Sequence, residues 1–148
     1  MISIGIDPGK SGGYAVLNEG RIVIAKAWDD TEFISAMQYV ADQPVSTIRV
    51  ALEKVNAMPH QGVTSMFNFG VSYGFIRGVL QAYGIPYQLV PPGVWKREFG
   101  LSSDKQKSID VCRRLFPDAN LLPTPRCKKP ADGIAEAILM AEFARRRL

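Results

Sequence analysis

Two acidic residues stand at the ends of short apolar segments that are typical of buried strands. Asp7 closes the segment ISIGID, and Glu53 stands near the end of TIRVALEKV. Because side chains alternate along a strand, each acid shares its face with a small neighbour, Gly5 for Asp7 and Ala51 for Glu53. Desolvating a carboxylate is costly, so a buried strand rarely carries an acid without a partner. The small neighbours leave room beside each acid for a metal ion and a bulky ligand.

Two more acids, Asp132 and Glu136, are four residues apart in a segment with helical periodicity, so they would share one face of a helix. Leu139, Met140 and Phe143 continue the same helix face, which places the acids where an apolar helix face meets the sheet edge. Three or four carboxylates from two strands and one helix would form a site of hard oxygen ligands, which Mg²⁺ prefers. Two such ions roughly 3.5–4 Å apart can activate water on one side of a phosphodiester and stabilise the leaving oxygen on the other.

Each acid also has an ordinary structural explanation. Asp7 could begin an Asx turn in Asp-Pro-Gly, and Glu53 could form an edge-strand salt bridge to Lys54 or Arg49. Asp132 could be the N-cap of its helix, with Glu136 favoured by the helix dipole. Zinc has no comparable candidate site, because His60 is the only histidine.

The elements that must position these acids form an α/β pattern. Alternating apolar segments predict five strands, at residues 2–7, 13–18, 21–27, 47–55 and 86–90. Helical spacing predicts four helices, at residues 30–42, 62–83, 103–116 and 131–147. We expect one domain over residues 1–148, in which a hairpin-led sheet carries helices on its faces.

Composition and charge narrow the class of protein. The chain has 148 residues, of which 47% are hydrophobic and 22% charged, which excludes a disordered chain. Cys112 and Cys127 form no C-x-x-C motif, and Asp7 interrupts any N-terminal apolar run, so we expect a cytoplasmic protein with reduced thiols and no signal peptide. The sequence has no run of roughly 18 apolar residues, so we expect no membrane span. Residues 1–95 carry six Lys or Arg and seven Asp or Glu, whereas residues 96–148 carry twelve and seven. This asymmetry fits a polyanion held near a carboxylate site, although a solvated surface with a basic tail is the simpler interpretation of charge alone.

The long helix at 62–83 contains three glycines spaced four residues apart, Gly70, Gly74 and Gly78. Each glycine costs a helix roughly 1 kcal/mol relative to alanine, so three on one face indicate close approach of another element. That element could belong to the same chain or to a second subunit.

Four segments spread over nearly the whole chain carry a resemblance to a known family. They are IGIDPGKSGGYAVL, ALEKVNAMPHQGVTSMFNFG, VPPGVWKREFGL and KKPADGIAEAILMAEFARR. Together they resemble the RuvC-type Holliday junction resolvases of the RNase H-like superfamily, in a compact form of the kind that phages and prophages carry. The resemblance implies a five-stranded mixed sheet whose first three strands are antiparallel, helices on both faces, and a metal-dependent endonuclease that acts as a homodimer.

The resemblance also implies roles for individual acids. Asp7 matches the acid on the first strand, Glu53 the acid on the fourth strand, and Asp132 the acid at the start of the last helix. Bacterial members carry a further ligand three residues before the helix acid, where this chain has Lys129. Glu136, one turn further along the helix, is then the natural fourth ligand.

Basic residues and the glycine face complete the expected site. Lys96 and Lys105 fall near the DNA-contacting lysines of the family, and the residues expected to contact DNA are Lys10, Lys96, Arg97, Lys105, Lys107, Lys128 and Lys129. The face formed by Gly70, Gly74 and Gly78 is the candidate dimer interface.

The sequence therefore predicts a Mg²⁺-dependent endonuclease that resolves four-way DNA junctions by paired symmetric nicks. Asp7, Glu53, Asp132 and Glu136 would hold two ions per site, Mn²⁺ could replace Mg²⁺, and no small-molecule cofactor is expected. One alternative is a nuclease for branched or flap DNA, or for RNA–DNA hybrids, on the same fold. Another is a junction-binding protein that does not cut, which Lys129 in the usual acid position makes plausible.

Overall fold

The computed structural model describes residues 1–148. Its five strands, β1 to β5, are Ile2–Asp7, Gly13–Asn18, Arg21–Ala27, Ile48–Glu53 and Gln88–Val90. Its five α-helices, α1 to α5, are Asp30–Ala41, Val63–Ala82, Pro92–Glu98, Lys105–Leu115 and Asp132–Arg147, and a short 3₁₀ helix spans Val45–Thr47. The first three predicted strands have the predicted bounds, and the other two strands and all four predicted helices are present with shifted ends. The helix α3 is one that the sequence pattern does not predict.

The strands form one mixed sheet in the order β3-β2-β1-β4-β5. The first three strands are antiparallel, whereas β1, β4 and β5 run parallel. Ile6 of β1 is paired in register with Leu52 of β4. Because β1 and β4 are parallel neighbours, their last residues, Asp7 and Glu53, lie at the same edge of the sheet.

Helices cover both faces of this sheet. On one face, side chains of β1 pack with α1 and α2 in a core that includes Ile2, Ile4, Ile6, Met37 and Leu80. On the other face, α5 is buried from Gly133 to Ala144 and lies against β1, β2 and β4. The expected α/β fold with helices on both faces is confirmed.

The position of α5 depends on two glycines. A Cβ atom on Gly5 would lie 2.1 Å from the carbonyl oxygen of Ala137 in α5. A Cβ atom on Gly133, in the first turn of α5, would lie 2.1 Å from the carbonyl oxygen of Ser11 in the β1–β2 loop. The missing side chains therefore allow α5 to pack directly on the backbone of β1 and its following loop, and this packing holds Asp132 near the end of β1.

The glycine face of α2 has no partner within the chain. A Cβ atom placed on Gly70, Gly74 or Gly78 would meet no atom within 4 Å. The explanation that another element of the same chain packs there is therefore wrong, and a second subunit stays a prediction.

Three further expectations can be compared with the structure. The N-cap of α5 is Ala131 and Asp132 is the first helical residue, so the interpretation of Asp132 as a helix cap is wrong. Cys112 and Cys127 are both free thiols, as predicted. None of the helices combines the length and the apolar character that a membrane span requires.

Candidate metal centre

The four sequence-predicted acids lie around the carboxyl-terminal ends of β1 and β4. Asp7 and Glu53 are the last residues of these strands. Asp132 begins α5, and Glu136 follows one turn later on the same helix. Glu136 is only 8% exposed, whereas the other three acids are partly exposed. The structure thus places carboxylates from three distant segments in one region.

The pKa of the Asp7 carboxyl lies far above its ordinary value. Burial, and then the negative charges of Glu53, Glu136 and Asp132, raise the pKa of the Asp7 carboxyl to about 8, and the positive charge of Lys96 only partly opposes this rise. Like charges kept together at the edge of a sheet favour a bound cation, and such perturbed groups are typical of functional sites.

Glu53 and Glu136 are each held by a hydrogen bond from a neighbouring helix. Nε1 of Trp95, on α3, donates to Oε2 of Glu53 at 2.8 Å. The hydroxyl of Ser108, on α4, donates to Oε1 of Glu136 at 3.0 Å. Burial raises the pKa of Glu53, while the hydrogen bond from Trp95 opposes that rise. Sequence reasoning singled out neither donor.

Two lysines pair with the acids of α5. Nζ of Lys96 lies 3.7 Å from Oε1 of Glu136, and Nζ of Lys105 lies 3.3 Å from Oδ2 of Asp132. The hydrogen bond to Asp132 and its charge raise the pKa of Lys105. The Lys105 side chain is 68% exposed, so this pair is a surface pair that contributes little to stability. Both ammonium groups therefore border the acids at a place where a phosphate could contact them.

The other predicted DNA-contacting residues are dispersed and exposed: Lys10, Arg97, Lys107, Lys128 and Lys129. Lys10, in the β1–β2 loop, borders a cleft of about 220 Å³ together with Ser65 and Asn68 of α2. Arg97 borders a different cleft, with Phe143 and Arg147. Only Lys96 and Lys105 of the predicted set form ion pairs with the acids.

The donor set fits a divalent metal ion by its chemistry. All four side chains offer carboxylate oxygens, and Asp7 lies among like charges that a cation would neutralise. In the conformation described, no three Asp, Glu, His or Cys side chains are close enough together to hold an ion. Metal binding would therefore require Asp7 and Asp132 to move towards Glu53 and Glu136, which hydrogen bonds hold in place.

Comparison with known proteins identifies the fold. No family model matches the sequence, and no curated protein matches it. A solved structure of T. thermophilus RuvC in complex with Holliday junction substrate matches over 99% of this chain and 96% of that chain, with 16% identity and a TM-score of 0.65. A second RuvC structure from Thermus thermophilus matches over the same shares, with 18% identity and a TM-score of 0.57. The chain therefore has the fold of these RuvC structures, as its sequence resemblance implies.

Proposed function

We propose that the protein is a divalent-metal-dependent endodeoxyribonuclease that resolves four-way DNA junctions by paired symmetric nicks. The observation that carries this proposal is the meeting of Asp7, Glu53, Asp132 and Glu136 at one edge of a RuvC-type sheet. The RuvC-type fold supports the general class, because one solved neighbour is RuvC bound to a Holliday junction substrate.

The acids would hold Mg²⁺, or Mn²⁺ in its place. Bound divalent ions supply a water nucleophile at neutral pH and stabilise the leaving oxygen of the phosphodiester. Asp7 is largely protonated at neutral pH in the metal-free protein because its pKa is about 8, so it would give up a proton on becoming a ligand. Ser108 holds Glu136 by its hydroxyl, which fixes one carboxylate oxygen of the buried acid.

The lysines would orient the DNA. Lys96 and Lys105 lie beside the acids of α5, where their ammonium groups can bind the phosphates that flank the cleaved bond. The dispersed residues would bind more distant backbone phosphates, which position DNA without reading its sequence: Lys10, Arg97, Lys107, Lys128 and Lys129.

A second copy of the chain would pack on α2. Next to its three glycines, this helix exposes apolar side chains, with Val63 87% exposed, Phe67 71% and Val71 58%. Glycines allow close approach of a partner helix, and exposed apolar side chains are stabilised when a partner buries them. Two copies would bring one metal centre to each of the two strands that must be cut.

A cleavage assay tests the proposal. Labelled four-way junction, flap and RNA–DNA hybrid substrates are incubated with and without Mg²⁺, and we expect paired symmetric nicks in the junction only when Mg²⁺ is present. Asp7→Asn should abolish cleavage and retain junction binding, whereas Asp118→Asn, at an exposed position, should cleave normally.

Other outcomes favour the alternatives. Preferred cleavage of the flap or the hybrid favours a different nuclease on the same fold. Junction binding without any Mg²⁺-dependent product favours a binding protein that does not cut, in keeping with Lys129 at the position of the family acid.

A further inference from the structure

Trp95 is a fully buried residue of α3 that reaches the end of β4. Its ring belongs to the core formed with α5, together with Val90 and Leu139, and none of its surface is exposed. Its Nε1 donates to Oε2 of Glu53 across 42 residues of sequence, at 2.8 Å. The packed ring fixes the direction of the N–H, so the hydrogen bond fixes the direction of the carboxylate.

The hydrogen bond leaves the second carboxylate oxygen of Glu53 free. An indole N–H is a donor only and binds the ionised carboxylate, which is the form that ligates a metal. The structure shows a hydrogen bond to Oε2 and none to Oε1. Donors behind a ligating carboxylate orient it, and their loss typically weakens metal binding 10- to 100-fold.

We propose that Trp95 is a positioning residue that presents Oε1 of Glu53 to a divalent cation. This inference rests on the proposed function, because it takes Glu53 as a metal ligand. The competing account is that Glu53 merely satisfies the N–H of a tryptophan that belongs to the core, as buried tryptophans require.

The chain offers a matched control. Trp28 also donates its Nε1 to a carboxylate, Oδ1 of Asp30, at 2.8 Å. Trp28 packs with Tyr14 and Phe33 on the opposite face of the sheet. Trp28→Phe therefore removes the same kind of hydrogen bond outside the metal centre.

The test is calorimetric titration of the full chain with Mn²⁺, in the absence of DNA. Trp95→Phe keeps an aromatic ring and removes the donor, and we expect Mn²⁺ to bind it roughly tenfold more weakly than the wild type. Trp28→Phe should bind Mn²⁺ as the wild type does. In a Glu53→Gln background, Trp95→Phe should cause no further loss, because its effect acts through the Glu53 carboxylate.

A second measurement does not depend on the folding of Trp95→Phe. The chain has two tryptophans, so in Trp28→Phe the tryptophan fluorescence comes from Trp95 alone. Titration with Mg²⁺ should change this fluorescence with the midpoint that calorimetry gives for Mg²⁺.

The outcomes separate the two proposals. If the wild type binds neither ion, the metal-dependent function is refuted, and the role of Trp95 with it. If the wild type binds Mn²⁺ and Trp95→Phe binds it equally well, only the role of Trp95 is refuted. An additional loss in the Glu53→Gln background, or an unchanged Trp95 fluorescence, also refutes it.

Discussion

Asp7→Asn should change how the stability of the metal-free protein depends on pH. The pKa of Asp7 rises from 3.8 to about 8 on folding, so the folded protein binds this proton more tightly than the unfolded chain. Stability contributed by the protonated Asp7 is therefore lost as pH rises between these values, by about 1.4 kcal/mol per pH unit. Between pH 5 and pH 7 the loss amounts to at most about 3 kcal/mol. Asparagine does not titrate, so the variant lacks this loss.

Urea unfolding in EDTA at several pH values measures the effect. Relative to the wild type, Asp7→Asn should gain stability as pH rises, whereas Asp118→Asn, at an exposed position, should follow the wild type. Saturating Mg²⁺ should reduce the difference in unfolding free energy between Asp7→Asn and the wild type at pH 7, since a cation stabilises the ionised Asp7 carboxylate of the wild type. A constant difference between Asp7→Asn and the wild type from pH 5 to pH 8 would refute the electrostatic reasoning.

Three other substitutions, two of them paired with a control variant, test the packing, the interface and the fourth ligand. Gly5→Ala should lower the free energy of unfolding, measured in urea, by more than about 3 kcal/mol, because the new Cβ would lie 2.1 Å from a backbone oxygen of α5. In the control Gly93→Ala the new Cβ would meet no atom within 4 Å, so the free energy of unfolding should change by less than about 1 kcal/mol. Gly74→Leu should leave the monomer folded and abolish dimer formation, as measured by sedimentation velocity. A dimer of wild-type affinity in this variant would contradict the α2 interface. Glu136→Gln should slow junction cleavage more than tenfold. Lys129→Ala should weaken junction binding and still cleave the junction. Equal cleavage by Glu136→Gln and the wild type would exclude Glu136 as a ligand.

Local patterns predict the antiparallel half of the sheet. Alternation at Ile2, Ile4 and Ile6 identifies β1, and these side chains share one core in the structure. The turn between β2 and β3 contains Glu19 and Gly20, both with positive φ, as a two-residue type I′ hairpin requires. Such signals lie within a few residues, so a single sequence contains all the information that they need.

The short helix α3 is harder to predict. It has seven residues, which is too few for a clear periodic pattern. Its one local signal is Pro92 at the first helical position, where the fixed φ of proline suits a helix start. Because α3 carries both Trp95 and Lys96, missing this helix also conceals the donor to Glu53.

The hydrogen bonds around the acids are not encoded in local patterns. Trp95 lies 42 residues from Glu53, and Ser108 lies 28 residues from Glu136. Both contacts arise from packing of α3 and α4 near α5, which is set by the whole core. The acids of the candidate site can therefore be predicted from the sequence, whereas the hydrogen-bond donors that orient them become apparent only in the fold.

The same packing bears on Glu136, the proposed fourth ligand. Lys129 precedes α5 and is exposed, so a side chain there depends on a loop for its position. Glu136 lies within the helix, is 8% exposed, and receives the Ser108 hydroxyl. The close approach of α5 to Gly5 of β1 holds this part of the helix against the strand that ends at Asp7. A side chain on a packed helix is positioned more accurately than one on a loop, so Glu136 as the proposed fourth ligand would be held more firmly than an acid at position 129.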